Sequence, residues 1–180
     1  PADHDAARYF EDLSRQRYEI WAQPPVSLGD RMAAFFELTG PRPPGGDRPE
    51  TRVVLIGADS PTLPRRRVDD AFAALADADC VIGPAADGGY YLIGLRRWIP
   101  RLFDDIAWST PRALEQTVEN ISRLNFSLQL LQPWYDVDTL DDVLLLRGHL
   151  AAMRAAGEEG IATRTYEAVI RINSQSGKAG

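Results

Sequence analysis

The chain alternates between two hydrophobic patterns, one with the period of a helix and one with the short apolar runs of a strand. Apolar runs bounded by turn residues predict strands at 18–22, 52–57, 79–83, 90–95 and 126–131. The run from Val53 to Ile56 is apolar at every position, which is typical of a strand covered on both faces. We therefore expect this strand at the centre of the sheet.

Cap residues and glycines mark the ends of the predicted helices. Ser27 and Thr139 are each followed three residues later by an aspartate, which is the spacing of a capping box, and Gly40 and Gly157 are suitable residues to end the two helices that follow. Pro111 follows two cap-forming residues and predicts the start of a helix that runs to 124. Further helices are predicted at 6–16, 68–76 and 163–172.

This order of elements predicts the architecture. Helices that alternate with strands are typical of an α/β domain in which a mainly parallel sheet is flanked by helices. The segment 40–50 is rich in proline and glycine and predicts a surface loop. The sequence contains no internal repeat, so we expect one domain over residues 1–172 and a polar tail over residues 173–180.

The charge balance narrows the choice of partner. The 180 residues carry 26 acidic and 20 basic side chains, a formal charge of -6, so the chain lacks the positive field that attracts a nucleic-acid backbone. We therefore exclude nucleic acid as a partner. Lys178 is the only lysine and lies in the polar tail, so neither a Walker-type loop nor a Schiff-base lysine is expected within this chain.

Cysteine and histidine usage excludes further chemistries. Cys80 cannot form an internal disulfide, and His4 and His149 give neither the spacing of a zinc site nor that of a nucleophilic triad. No apolar run reaches the roughly 18 residues that a membrane-spanning helix needs, and the first residues are polar, unlike those of a signal peptide. These features predict a cytoplasmic protein without a membrane partner, in which Cys80 is a structural residue.

Carboxylates follow two of the predicted strands where each strand ends. Asp59 follows the strand 52–57, and Asp136 and Asp138 follow the strand 126–131. The carboxyl edge of an open α/β sheet is the usual ligand site, and several carboxylates there suit Mg²⁺ or Mn²⁺. Capping of the next helix explains Asp59 equally well, whereas Asp136 and Asp138 exceed what a cap at Thr139 needs.

The turn between the strands 79–83 and 90–95 is a third candidate. The glycines of Asp87-Gly88-Gly89 expose backbone N–H groups, and the carboxylate can accept hydrogen bonds from substrate hydroxyls. A tight hairpin turn accounts for the same residues, since Asp-Gly is favoured in hairpins. For Trp108-Ser109-Thr110, a core indole followed by a helix cap is likewise a sufficient explanation.

Five segments, taken in order, carry a family resemblance. They are Leu28-Gly29-Asp30-Arg31-Met32, residues 57–64, residues 83–94, Trp108-Ser109-Thr110-Pro111 and Tyr135-Asp136-Val137-Asp138-Thr139. Together they resemble the DUF2064 family of the GT-A glycosyltransferase superfamily, also called selenodomain-associated transferase 1. The chain is similar, more distantly, to nucleotidylyltransferases that make molybdopterin cofactors, CMP-sugars and guanylylated phospholactate. The resemblance implies a Rossmann-like nucleotide-diphospho-sugar transferase fold, a Mg²⁺ or Mn²⁺ cofactor, a nucleotide-sugar donor and a small-molecule acceptor that it does not identify.

The resemblance also implies roles for individual residues. Asp59 takes the place of the superfamily's D-x-D metal ligand and Asp138 that of the second ligand, with Asp136 included in the same metal site. Asp87 is the candidate catalytic residue, which orients the acceptor or sugar hydroxyl. The candidate substrate-binding residues are Gly29, Asp30, Arg31, Gly88, Gly89, Tyr90, Trp108, Ser109 and Thr110. For the first three of these, a capped amphipathic helix is an equal alternative.

One part of the family pattern has no counterpart in this chain. Family members begin with a strand and a loop of the type A-P-x-x-G-x-x-K-T-R-L, which the resemblance assigns to the donor phosphates. That strand would be central to the sheet. We therefore expect the chain to be an N-terminally incomplete piece of a longer protein, or to be completed by a partner, with a homodimer as one option. Catalysis by the 180 residues alone is left open.

The leading hypothesis is a glycosyltransferase that uses a divalent metal and a nucleotide-diphospho-sugar. Nucleotidylyl transfer of the molybdopterin or phospholactate type is one alternative, and it differs in releasing pyrophosphate instead of a nucleoside diphosphate. The other alternative is a non-catalytic nucleotide-binding module.

Overall fold

The computed structural model describes residues 4–15, 17–43, 50–158 and 162–176. These residues form six helices and four strands in the order α1 (His4–Ser14), α2 (Leu28–Thr39), β1 (Val53–Ile56), α3 (Arg65–Ala74), β2 (Cys80–Pro84), β3 (Tyr90–Leu95), α4 (Ala113–Arg123), β4 (Leu128–Leu130), α5 (Leu140–Ala155) and α6 (Thr163–Ser176). The alternation of strands and helices confirms the predicted α/β class.

The sheet is mixed, so the prediction of a mainly parallel sheet is wrong for the described strands. Its order is β1-β3-β2-β4, with β3 antiparallel to both of its neighbours and β4 parallel to β2. The reason is the turn 85–89, which is too short to hold the crossover that a parallel connection from β2 to β3 needs. The longer connections through α3 and α4 return the chain to one direction. As a result β1, β2 and β4 all point their carboxyl ends to the same edge.

Two strand predictions are wrong. Residues 18–22 have irregular backbone, and the ring of Trp21 lies 6.2 Å from that of Phe35 on α2, so this apolar segment covers a helix instead of entering the sheet. β1 lies at the edge of the described sheet and not at its centre. Its first residue, Val53, is buried in the core, whereas Ile56 at its end is 49% exposed beside a cavity.

The helix ends follow the predicted capping chemistry at α2 and α5. Ser27 accepts a hydrogen bond from the Asp30 amide, and α2 ends at the left-handed Gly40. Thr139 and Asp142 form a reciprocal capping box at the start of α5. α4 begins two residues later than predicted, since the Thr110 hydroxyl accepts from the Arg112 amide and closes a turn before the helix.

The chain ends and the Pro/Gly-rich loop are described in part. α6 extends to Ser176, so the first residues of the predicted tail are helical, and residues 177–180 lie outside the described residues. The predicted loop 40–50 is closed at its base by a backbone bridge between Arg42 and Thr51, while its residues 44–49 also fall outside the described ranges. None of the described helices is both long and apolar enough to span a bilayer.

A buried charged residue, Asp79, joins three strands where β2 begins. Asp79 is 8% exposed, and its carboxylate accepts hydrogen bonds from the Ser127 amide and hydroxyl at 3.1 and 2.9 Å. It also pairs with Arg97 at 3.0 Å and with Arg96 at 3.7 Å. Burial raises the pKa of Asp79, but the bonds from Ser127 and Arg97 outweigh it, so the pKa lies below its usual value.

Cys80 is buried next to this group. Its side chain is fully enclosed in the main hydrophobic cluster with Phe36 and Ile82. Burial, with a smaller effect from the charge of Asp79, raises the pKa of the thiol well above its usual value. The placement agrees with the prediction of a structural cysteine, because a buried neutral thiol is a poor nucleophile.

Candidate functional site

A cavity of about 1010 Å³ opens at the edge where β1, β2 and β4 end. One wall is apolar and comes from α2 and the end of β1, with Phe35 and Leu55 among its residues. The segment Trp108-Ser109-Thr110 also lines the cavity, together with four aspartates, namely Asp59, Asp87, Asp136 and Asp138. The cavity therefore collects side chains from three separate strand ends, as expected for a ligand site at this edge.

Three of these carboxylates form a tight group. One oxygen from each of Asp87, Asp136 and Asp138 lies within 4.8 Å of the others. Two oxygens that bind one Mg²⁺ or Ca²⁺ ion, at metal–oxygen distances of about 2.0 to 2.6 Å, are at most about 5 Å apart. The group therefore fits a single hard divalent cation.

The electrostatics of Asp136 are consistent with this fit. Burial raises its pKa, and the negative charges of Asp87, Asp138 and Asp59 raise it further, against a hydrogen bond from its own backbone. A carboxylate that is partly buried among three others is stabilised by a bound cation, since the cation offsets both effects.

The sheet order explains how these aspartates meet. β4 is next to β2, so the segment after β4 first crosses the end of β2, where the Trp134 amide donates to the Pro84 carbonyl at 3.0 Å. It then reaches the end of β1, where the Val137 amide donates to the Asp59 carbonyl at 3.0 Å. Asp136 and Asp138 are thereby carried from the edge of the sheet across its end.

Asp59 lies beside the tight group and is not one of its three members. Its carbonyl holds the Val137 amide, and its charge contributes to the raised pKa of Asp136. Its carboxylate oxygen lies over Gly57, 2.6 Å from where a Cβ at that position would be. The third member of the tight group is therefore Asp87 and not Asp59. A ligand role for Asp59 stays a prediction.

The turn interpretation of Asp87-Gly88-Gly89 agrees with the structure, and a substrate role for these residues stays a prediction. The Asp87 carboxylate accepts from the Gly89 amide at 2.7 Å, which is a turn interaction. Gly88 has a φ of +91°, and a Cβ there would collide with the backbone of Pro111. Glycine at 88 is thus explained by packing against the start of α4, while Asp87 remains available to the carboxylate group.

The candidate residues on α2 have structural roles. Gly29 is buried, and a Cβ there would lie 2.5 Å from the Trp108 indole nitrogen, so Gly29 makes room for that ring. The amide and carboxylate of Asp30 belong to the cap at Ser27. Arg31 lines the cavity, and its guanidinium holds the Val26 carbonyl and the Gln23 side chain at 3.0 Å each. Substrate binding by these three residues stays a prediction.

The remaining candidates, Tyr90, Trp108, Ser109 and Thr110, line the same cavity. Trp108 packs edge-on against Tyr90, with ring centres 6.4 Å apart, and burial raises the pKa of the Tyr90 hydroxyl. Ser109 has a φ of +59°, and the Thr110 hydroxyl donates to the Ala107 carbonyl at 2.7 Å. This strained turn places polar atoms on the cavity wall, where a substrate role for them is untested.

Sequence reasoning missed a hydrogen-bonded chain beneath the acidic group. Thr62 donates to the Tyr135 hydroxyl at 2.8 Å, and that hydroxyl lies 2.7 Å from His149 Nδ1 on α5. No short motif joins these residues, because each belongs to a different element. The sequence drew attention to Tyr135 only as the first residue of the segment 135–139 and gave it no role.

Comparisons with known proteins identify a family and a similar solved structure. Residues 2–110 match the sequence model of a family described as "Uncharacterized protein conserved in bacteria (DUF2064)". No curated protein gives a significant match. A crystal structure of a "putative nucleotide-diphospho-sugar transferase" from Desulfovibrio desulfuricans G20 is similar, with a TM-score of 0.78 and 33% identity over 97% of this chain and 71% of that one.

Proposed function

Because this chain belongs to the DUF2064 family, we propose that it is a glycosyltransferase-like enzyme that uses Mg²⁺ or Mn²⁺ and a nucleotide-diphospho-sugar donor. The observation that carries the proposal is the group of Asp87, Asp136 and Asp138 at the rim of a large cavity. The similarity to the Desulfovibrio structure, whose name specifies a nucleotide-diphospho-sugar transferase, supports the donor class.

The proposed reaction requires stabilisation of the negative charge on the leaving diphosphate. Glycosyl transfer breaks the bond between the sugar's anomeric carbon and a diphosphate oxygen and joins that carbon to an acceptor oxygen, which loses its proton. When bound, a divalent cation supplies positive charge for the leaving diphosphate. Asp136 and Asp138 would hold that cation. Neither of these two side chains takes part in the helix cap, which Thr139 and Asp142 form.

Asp87 is suited to two tasks at the same position. Its carboxylate is exposed to the cavity, belongs to the tight group and is held by the Gly89 amide. It can complete the cation's ligand set, or it can accept a hydrogen bond from a sugar or acceptor hydroxyl, as the sequence suggested. Trp108 and Arg31 line the same cavity and would border the bound substrate.

The test is calorimetric titration of the chain with Mn²⁺, then with UDP, GDP and CDP in the presence and absence of Mn²⁺. We expect Mn²⁺ to bind and at least one nucleoside diphosphate to bind only when Mn²⁺ is present. Product analysis with the matching nucleotide sugars then separates the chemistries: nucleoside diphosphate release supports glycosyl transfer, and pyrophosphate release from a nucleoside triphosphate supports nucleotidylyl transfer. Binding without any turnover would favour a non-catalytic module, and no binding of Mn²⁺ would overturn the proposal.

The variant Asp87→Asn tests the charge at the turn. Asparagine keeps an oxygen for the Gly89 amide and tolerates the same turn, so the melting temperature should stay within about 2 °C of wild type. Loss of a charge-assisted interaction of about 1.5 to 3 kcal/mol should lower kcat/KM by about 10 to 100-fold. Wild-type kinetics would show that the residue only forms a turn.

A further inference from the structure

The hydroxyl of Tyr135 lies at the centre of a chain that joins three elements. Thr62, in the loop after β1, donates to it at 2.8 Å, and His149 of α5 lies 2.7 Å away on the other side. The Tyr135 oxygen can both accept and donate, and which of Tyr135 and His149 donates in their contact depends on the tautomer of the imidazole ring.

The Thr62 end of this hydrogen-bonded network is buried by packing. Thr62 is 1% exposed, and the ring of Trp134 stacks on that of Tyr135 at 5.8 Å between centres. Trp134 also lies 5.8 Å from the His149 ring. The hydroxyl of Thr62 is therefore shielded from water, and its bond to Tyr135 is costly to lose, because a buried donor without a partner pays its full desolvation penalty.

The position of Tyr135 links it to the acidic group. It directly precedes Asp136, and two residues later the Val137 amide is tied to the Asp59 carbonyl. Thr62 and Asp59 belong to the same loop after β1. The side-chain bond at Tyr135 and the backbone bond at Val137 thus fasten the same two loops on either side of Asp136.

We propose that Tyr135 is a positioning residue, which through Thr62 and His149 sets where Asp136 and Asp138 stand relative to the loop of Asp59. This inference rests on the proposed function, because the geometry that Tyr135 would maintain is that of the carboxylates that bind the divalent cation. Groups that orient metal ligands without touching the metal commonly change metal affinity by about 10 to 100-fold when removed. Without the Tyr135 hydroxyl, the bond from the Val137 amide to the Asp59 carbonyl still joins the two loops.

The experiment compares Tyr135→Phe, Thr62→Val and Thr62→Ser with wild type. Phenylalanine and valine remove one hydroxyl each at nearly constant shape, whereas serine keeps the donor. Tyr166→Phe is the control, since Tyr166 packs on the same apolar cluster as Tyr135 but lies on α6. Mn²⁺ affinity is measured by electron paramagnetic resonance of the free ion. Hydrogen exchange of the Val137 amide is measured without metal, relative to the Cys80 amide, which bonds the Ser127 carbonyl at the far end of β2.

We expect about 10-fold weaker Mn²⁺ binding in Tyr135→Phe and Thr62→Val. The double variant should bind no more weakly than Tyr135→Phe, because that substitution already removes the bond to Thr62 as well as the contact with His149. Thr62→Ser and Tyr166→Phe should stay within about 2-fold of wild type. Exchange at Val137 should accelerate in the first two variants while exchange at Cys80 does not, which distinguishes a loosened loop from a weakened fold.

Two results would overturn the proposal: unchanged exchange at Val137 in Tyr135→Phe, or equal acceleration at Val137 and Cys80. If wild type binds no Mn²⁺, the proposed function is wrong. The comparison of hydrogen exchange at Val137 and Cys80 still tests whether Tyr135 holds the two loops together. Faster exchange at Val137 alone would then support the role of Tyr135 in holding the two loops.

Discussion

Asparagine in place of Asp136 is expected to remove metal binding and, at the same time, to stabilise the metal-free fold. The carboxylate is partly buried and surrounded by the charges of Asp87, Asp138 and Asp59, which together raise its pKa. Removing that charge relieves repulsion, so we expect a gain of about 0.5 to 1 kcal/mol in the free energy of unfolding. The loss of a ligand should weaken Mn²⁺ binding at least about 100-fold and lower turnover about 1000-fold.

The opposite signs of the two effects make this prediction specific. Melting temperature without metal and Mn²⁺ affinity are measured on Asp136→Asn and on Asp141→Asn, the control. Asp141 is exposed in the first turn of α5, and it lies outside the carboxylate group. We expect the control to keep its metal affinity. Wild-type Mn²⁺ affinity in Asp136→Asn would contradict the metal site.

Replacement of Asp79 by alanine should cost about 2 to 4 kcal/mol of stability, a fall of about 5 to 15 °C in melting temperature. The substitution leaves the Ser127 amide and hydroxyl and the Arg97 guanidinium without their acceptor. These groups belong to the segment entering β4 and the segment leaving β3, so both strands lose an anchor at the start of β2. The exposed Asp77→Ala is the control and should change stability by less than about 0.5 kcal/mol.

The same carboxylate predicts a pH dependence. Its pKa is lowered in the folded state, so its contribution is complete above the unfolded value of about 3.9 and is lost as the pH falls through the lower folded value. Denaturant unfolding between about pH 6 and pH 2 should therefore show wild type and Asp79→Asn converging in the acidic range. A constant difference across that range would show that Asp79 is not held as a carboxylate.

Local chemistry was the part of the fold that the sequence predicted well. The strand 90–95 and the caps at Ser27 and Thr139 depend on neighbouring residues, and the structure has them where the pattern placed them. The direction of β3 and the edge position of β1 depend on which strands pair. The hairpin interpretation of Asp87-Gly88-Gly89 favours the antiparallel direction of β3. The edge position of β1 is set by packing between distant segments, which a hydrophobic pattern does not record.

The candidate site divides in the same way. Carboxylates at strand ends were predicted from position alone, and the structure brings Asp59, Asp87, Asp136 and Asp138 to one cavity. Which three of them form the tight group depends on how loops that are distant in sequence meet in the fold, and the Asp59 carboxylate lies over Gly57 instead of joining the group. The link between Thr62, Tyr135 and His149 was out of reach for the same reason.

The contact between Gly88 and Pro111 has a consequence for attempts to change the specificity of this protein. The Gly88 carbonyl accepts from the Leu114 amide at 3.0 Å, and no side chain fits between Gly88 and Pro111. The turn that carries Asp87 and the segment 108–112 therefore behave as one module. Grafting a relative's 108–112 segment alone would shift Asp87, so engineered chimaeras should exchange residues 85–89 and 108–112 as a pair.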